Sequence, residues 1–354
     1  MSEIQERFSG TGEVREKHRF DVGRLEDYLS GTLAGFERPL TVREFKGGQS
    51  NPTYELACPA GRYVLRRKPP GKLLPSAHAV DREYRVIAAL NTIDFEVPKA
   101  HLLCEDPEVI GTSFYVMERV VGRVLWNALL PDQRPDERRA IYESLYDVLG
   151  RLHGADPEAL GLADFGRPGN YFARQISRWT KQYRASETET IPEMDRLIEW
   201  LPANLPPDRP PTLVHGDYKL DNTIVHPTEP RVIAVLDWEL ATLGDPLGDL
   251  TYQLAARYTP RSVFEDQDEA SLRALGIPTQ EEVIGTYESV AGPVSREHFA
   301  YALAYNQFRT AAILQGILGR VRDGTAASQF ATELADGVAP IAHRAWELAR
   351  RAGA

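Results

Sequence analysis

Cysteine is almost missing: Cys58 and Cys104 are the only two in 354 residues. Two thiols build neither a disulfide framework nor a thiolate zinc site, so a reducing cytoplasm is the expected compartment. Long apolar runs are missing too. No stretch of about 18 apolar residues occurs, and the opening Met1-Ser2-Glu3-Ile4-Gln5-Glu6-Arg7 has no apolar export signal, so no membrane partner is expected. Nor is there an excess of positive charge. Lys and Arg number 41 against 51 Asp and Glu, a formal charge of −10, which repels nucleic acid and anionic lipid.

What is present describes an ordinary globular chain, 42% hydrophobic and 26% charged, long enough for about two domains with real cores. Residues 1–20 are polar and without period, which predicts a loosely held arm. Asp21 can cap a helix whose Val22, Leu25, Tyr28, Leu29 and Leu33 form an apolar stripe ending at Gly35. Five strand-like runs follow, at 40–45, 53–56, 63–68, 97–103 and 113–117, with one helix opened by Ser76 and carrying Val80, Glu83, Ile87 and Leu90 on one side. Together they predict a compact first lobe of five antiparallel strands plus a helix. Glu118-Arg119-Val120-Val121-Gly122 reads as its exit, either a plain connection or a linker offering backbone groups to an adenine edge.

Two stretches of this lobe bear on chemistry. Lys46-Gly47-Gly48-Gln49-Ser50-Asn51 sits between strands as either a hairpin turn or a loop whose N–H groups cradle phosphate oxygens. Strand alternation puts Arg66 and Lys68 on one face and Arg67 on the other. A cation there suits the phosphates of a nucleotide. Glu83 falls inside the apolar stripe of its helix, where an unpaired carboxylate is costly and a basic residue of the neighbouring strand would relieve it.

From Asp136 onward helical period dominates. Ile141, Leu145, Val148, Leu149 and Leu152 make one stripe, and His153 reads as a helix-end histidine. Helices are expected near 171–184 and 194–201. The proline-rich 201–211 forces extended backbone, and three further helices are expected between 281 and 351. Residues 261–300 hold eight acids against three arginines, which reads as a solvated acidic face.

The stretch that organises the chain is His215-Gly216-Asp217-Tyr218-Lys219-Leu220-Asp221-Asn222. It follows the apolar Thr212-Leu213-Val214, and a second apolar run, 232–236, delivers Asp237 in Asp237-Trp238-Glu239. H-x-D-x-x-x-x-N followed by a strand ending in Asp is the catalytic-loop and metal-loop pattern of kinases. Asp217 would accept the proton of an attacking hydroxyl, while Asn222 and Asp237 supply the neutral and charged oxygens that Mg²⁺ prefers. Asp245 and Asp249 read as helix-capping and loop-bracing residues.

These residues resemble the aminoglycoside phosphotransferase and choline kinase-like family over roughly residues 40–255. The resemblance implies an α+β, bilobal protein-kinase-like fold, with residues 1–121 as nucleotide-binding lobe and 122–354 as mainly helical catalytic and substrate lobe. It implies ATP and Mg²⁺ as cofactors and a small-molecule hydroxyl as phosphate acceptor. Carried over by position, Asp217 is the catalytic base and Lys219 stands near the transferring phosphoryl group. Asn222 and Asp237 hold Mg²⁺. Gly47, Gly48 and Ser50 form the phosphate loop; Met117, Glu118 and Val120 form the adenine hinge. Arg66 falls where many members have lysine, with Glu83 its helical partner, so either Arg66 or Lys68 pairs the phosphates. His215 is implied to be architectural.

Within the family, the run from Arg66 to Glu83 most resembles kinase regions fused to, or encoded with, acyl-CoA dehydrogenases, a subgroup associated with hydroxyacyl-CoA substrates. A coenzyme A thioester would want basic donors, for which Arg309 and Arg320 are candidates. A cationic aminoglycoside would instead use acids such as those of 261–300. A protein kinase is disfavoured, because only eleven residues separate Asp237 from Asp249 and neither D-F-G nor A-P-E occurs. An inactive nucleotide-binding module is disfavoured because Asp217, Asn222 and Asp237 all stand.

Overall fold

The structure is a computed structural model describing residues 9–47, 51–69, 79–167, 169–323 and 337–354. The chain forms two compact units: Met1–Leu145 with Glu158–Leu162 and Leu220–Ala241, and Tyr146–Pro157 with Ala163–Lys219 and Thr242–Ala354.

The first unit is built on an antiparallel sheet of six strands: β1 (Thr11–Gly12), β2 (Thr41–Phe45), β3 (Thr53–Cys58), β4 (Gly61–Arg67), β5 (Ala100–Cys104) and β6 (Phe114–Glu118), in the order β1-β2-β3-β4-β6-β5. Helix α1 (Val22–Thr32) starts at Asp21, whose carboxylate accepts from the Arg24 N–H at 3.0 Å. Its Leu25 and Leu29 are fully buried against Tyr54, Leu56, Leu65, Phe114 and Val116 on one sheet face. The stripe of α2 (Val80–Leu90) is also buried at Val80, Glu83, Ile87 and Leu90, as its spacing predicts. Ser76, expected to open that helix, lies outside the described residues.

The sheet has one strand more than expected, and it comes from the segment read as a loose arm. Thr11 and Gly12 pair with Phe45 and Glu44. Glu44, only 3% exposed, accepts from the Arg15 N–H at 2.8 Å, from the Arg15 guanidinium, and lies 2.6 Å from His18 Nδ1. The His18 carbonyl in turn accepts from the Tyr54 hydroxyl at 2.9 Å and from Arg67 at 3.0 Å. Arg15 and His18 hold this segment by hydrogen bonds to buried polar partners, and Val14 and Phe20 pack against the core, too few apolar positions to leave a period in the sequence.

The turn after β5 contains the short α3 (Pro107–Ile110), capped by Asp106, and α4 (Pro135–Gly154) divides between the units. Residues 220–241 join the first unit as a hairpin, Thr223–Val225 paired with Val232–Val235, and Arg123 bridges to Val225 through both backbone bonds. Gly122 permits this approach: a Cβ there would lie 2.3 Å from Ile224 Cγ2 and 2.5 Å from the Val225 carbonyl.

The second unit is helical: α5 (Tyr171–Ser186), α6 (Pro192–Ala203), α7 (Pro246–Ala255), α8 (Glu269–Ala274), α9 (Gln280–Ala291), α10 (Phe299–Arg322) and α11 (Val338–Arg351). Its centre is α10, buried along most of its length and packed against α5, α7 and α11. A two-stranded ribbon, Thr212–Val214 against Thr242–Gly244, leads into the catalytic-loop motif. No helix among the described residues is long and apolar enough to cross a membrane.

Candidate active site

In the first unit, β4 delivers Arg66 opposite Thr53 and Tyr115. Its Nε lies 2.8 Å from Glu83 Oε2, and its Nη2 lies 2.6 Å from Asp237 Oδ1 and 3.7 Å from Glu239 Oε2. One guanidinium thus faces three carboxylates. Glu83 is further bound by the Asn51 amide at 2.7 Å and the Tyr115 hydroxyl at 3.1 Å. Burial pushes the Glu83 carboxyl above the usual carboxylate range, and Arg66 opposes that shift without cancelling it. Burial also works against the Arg66 charge, but Glu83 and Asp237 more than offset it and hold the guanidinium protonated.

The choice between Arg66 and Lys68 as the partner of Glu83 is decided by this geometry. Among the described residues Lys68 reaches only Asp81, at 3.5 Å, on a partly exposed surface. Arg67, on the opposite face as alternation predicts, is 2% exposed and bonded to Tyr54, Ile110 and His18, with its guanidinium 5.0 Å from the Phe20 ring. It belongs to the core, which removes it from the cations that could meet a nucleotide's phosphates.

Asn222 and Asp237 stand at the same end of the hairpin. Thr223 pairs with Val235, and the Leu236 N–H donates to the Asn222 carbonyl at 2.8 Å, so the two candidate ligands flank one closed register. Asp237 has φ +67°, a left-handed conformation that a non-glycine residue holds only where its surroundings enforce it. Trp238, 1% exposed and bonded through Nε1 to the Val235 carbonyl at 3.1 Å, supplies that anchor. Asn222 and Asp237 carry the oxygen donor types that Mg²⁺ takes.

The remaining nucleotide-site candidates are placed unevenly. Gly47 follows β2, whereas Gly48 and Ser50 lie outside the described residues. Met117 is buried and Glu118 exposed at the end of β6; the Glu118 N–H donates to the Lys99 carbonyl at 2.8 Å. The Val120 carbonyl accepts from the Arg119 guanidinium.

In the second unit, the ribbon ends at His215 and turns at Gly216, whose φ of +82° suits glycine. Asp249 of α7 braces this turn, accepting from the His215 N–H at 2.5 Å and the Gly216 N–H at 2.8 Å. His153 Nε2 lies 3.3 Å from the same carboxylate, and its Nδ1 lies 2.8 Å from the Tyr287 hydroxyl. His153 ends a helix as expected, but buried partners hold it rather than a helix dipole alone. Burial pushes Asp249 up; His153, His215 and the Gly216 N–H outweigh burial and leave it below the usual carboxylate range. Asp245 caps α7 by accepting from the Leu247 N–H at 2.9 Å.

The turn presents Asp217, half-buried, with its N–H donated to His215 Nδ1 at 3.2 Å. Asp217 Oδ2 lies 3.5 Å from Lys219 Nζ, and Oδ1 accepts from the Tyr252 hydroxyl at 2.6 Å. Tyr252 was not foreseen, although its place three residues after Asp249 on one helix could have pointed to it. Arg309, considered as a donor to a coenzyme A thioester, is instead 4% exposed, donates to the Gly216 carbonyl, and stacks 4.5 Å from the Tyr252 ring centre. Such burial disqualifies it as a surface phosphate ligand. Its contact with Gly216 spans 93 residues, so no local signal announces it.

The sequence profile described as the phosphotransferase enzyme family, APH, matches residues 41–292. The chain belongs to that family. It is 44% identical over 353 residues to acyl-CoA dehydrogenase family member 11 of Gallus gallus, covering 97% of this chain and 45% of that protein. The chain thus spans less than half the length of the curated relatives it matches. Among solved structures, a Ralstonia eutropha JMP134 protein provisionally described as an aminoglycoside phosphotransferase is 47% identical, with a TM-score of 0.85, covering 94% of this chain and 99% of that one. Choline kinase LicA of Streptococcus pneumoniae, 16% identical with a TM-score of 0.56 over 91% of this chain and 97% of its own, shares the fold. The architecture is accordingly the α+β kinase-like fold of small-molecule phosphotransferases.

Proposed function

We propose that this protein moves the γ-phosphoryl group of ATP to a hydroxyl of a small molecule, and that the acceptor is a hydroxyacyl-CoA thioester. The observation that carries the reading is the braced turn at Gly216, which fixes Asp217 through backbone bonds to a buried carboxylate. Phosphoryl transfer asks a protein mainly for positioning and charge neutralisation, and a rigid base on such a turn meets the first demand. Asp217 takes the proton of the acceptor hydroxyl as its oxygen attacks the γ-phosphorus and ADP leaves. Lys219 neutralises charge on the transferring group.

Arg66, oriented by Glu83, pairs the phosphates, with Lys68 at the rim. Gly47, Gly48 and Ser50 serve the phosphates, and Met117, Glu118 and Val120 the adenine. Asn222 and Asp237 would hold Mg²⁺, which when bound neutralises phosphate oxygens. The acyl-CoA preference is supported by the relatives named for acyl-CoA dehydrogenases, whose aligned region this chain matches over 97% of its own length.

The test offers purified protein ATP and Mg²⁺ with hydroxyacyl-CoA thioesters, aminoglycosides, choline and sugar alcohols, following ADP. Turnover with the thioester is expected. Turnover confined to a polycationic drug overturns the acceptor class, and none with any alcohol overturns the transferase reading.

A further inference from the structure

Arg309 is a buried cation that no ion pair among the described residues explains. It is 4% exposed, yet its neighbours are the Gly216 carbonyl and the faces of two aromatic rings, Tyr252 at 4.5 Å and Trp179 at 5.3 Å. No ion pair to a carboxylate forms among the described residues, and its Nε has no hydrogen-bond partner among them. Burying a charge without a carboxylate is expensive, and an apolar side chain would fill the same space without that cost. Burial works against the charge, and the Asp217 carboxylate is among the groups that offset that cost.

The geometry shows what the charge is near. Arg309 grips both sides of the base: the carbonyl of the residue before Asp217, and the ring whose hydroxyl donates to Asp217 Oδ1 at 2.6 Å. Oδ2 faces Lys219 at 3.5 Å. We propose that Tyr252 and Arg309 are positioning residues for the base: the Tyr252 hydroxyl holds Oδ1, and Arg309 locks that ring and the Gly216 turn. In the transfer step the acceptor O–H bond breaks as its oxygen bonds to phosphorus, the proton goes to the Asp217 carboxylate, and the bridging bond to ADP breaks. The inference rests on Asp217 being the base.

The experiment measures kcat and the KM for ATP by ADP release, with a hydroxyacyl-CoA thioester or, in its absence, water as acceptor, for Asp217→Asn, Tyr252→Phe, Arg309→Lys and Arg309→Met. A hydrogen bond to a charged group is worth enough that Tyr252→Phe should lower kcat about 10- to 100-fold, with the KM for ATP and the thermal midpoint close to wild type. Arg309→Lys keeps charge without the planar stack and should fall between wild type and Tyr252→Phe. Arg309→Met tests the same charge, but Tyr252→Phe decides if that variant fails to fold. An inert Asp217→Asn with a fully active Tyr252→Phe overturns the positioning role alone. A fully active Asp217→Asn overturns the assignment of the base itself.

Discussion

Each unit buries an arginine beside a carboxylate proposed to act in catalysis, and the two do so by opposite means. Arg66 faces Glu83, Asp237 and Glu239, so in the first unit acids outnumber the cation. Arg309 in the second unit is held by two ring faces and a carbonyl, without an ion pair among the described residues. The difference fits the roles proposed for each. A site meant for a divalent cation needs surplus anionic oxygen, whereas a site meant to receive a proton needs a carboxylate held still, with its neighbours spending hydrogen bonds on orientation.

The largest test of this contrast is Asp217→Asn. A positioned base contributes about 10² to 10⁴ in rate, so kcat should fall by that factor while ATP binding, measured calorimetrically, is retained. Loss of binding in step with turnover would erase the division of labour between the units.

Breaking the first unit's ion pair should show in stability as well as binding. Removing one partner of a buried pair costs about 3–5 kcal/mol, so Glu83→Ala should lower the urea midpoint by that equivalent and weaken ATP binding. A variant as stable as wild type would show that Arg66 is satisfied by Asp237 and Glu239 alone.

Asp249 gives the second unit a pH signature. Its folded pKa is below the unfolded value of about 3.9, so its contribution is present above that value and lost as pH falls through the folded pKa. Unfolding free energies of wild type and Asp249→Asn should differ fully near neutrality and converge in acid below about pH 4. A gap that stays constant down to acid would mean that the carboxylate's charge contributes nothing.

The smallest effect belongs to Lys68→Ala. Its pair with Asp81 is partly exposed, and such pairs contribute about 0–1 kcal/mol. Stability should barely change, and a change in ATP affinity larger than that of an Arg66 variant would return the phosphate-pairing role to Lys68.

Much of this was legible locally. The stripe of α2 placed Glu83 in the interior because helical spacing is fixed, and strand alternation separated Arg66 from Arg67 for the same reason. Asp245 and Asp249 were separable from metal ligands by helix-start chemistry. Residues 9–18 escaped because hydrogen bonds to Glu44, Tyr54 and Arg67 carry no periodic mark. Arg309 misled because an arginine on a late helix looks like a surface cation until the ring beneath it is known.

Sequence by itself determined the family motif and most of the strands and helices of the kinase-like fold, because short-range spacing and periodicity express them. Tertiary structure alone decided that Arg66 rather than Lys68 meets Glu83, that β1 completes the sheet, and that Tyr252 and Arg309 gather behind Asp217. Those outcomes depend on partners tens of residues away in the chain, and a side chain's charge cost is set by the neighbours that folding brings to it.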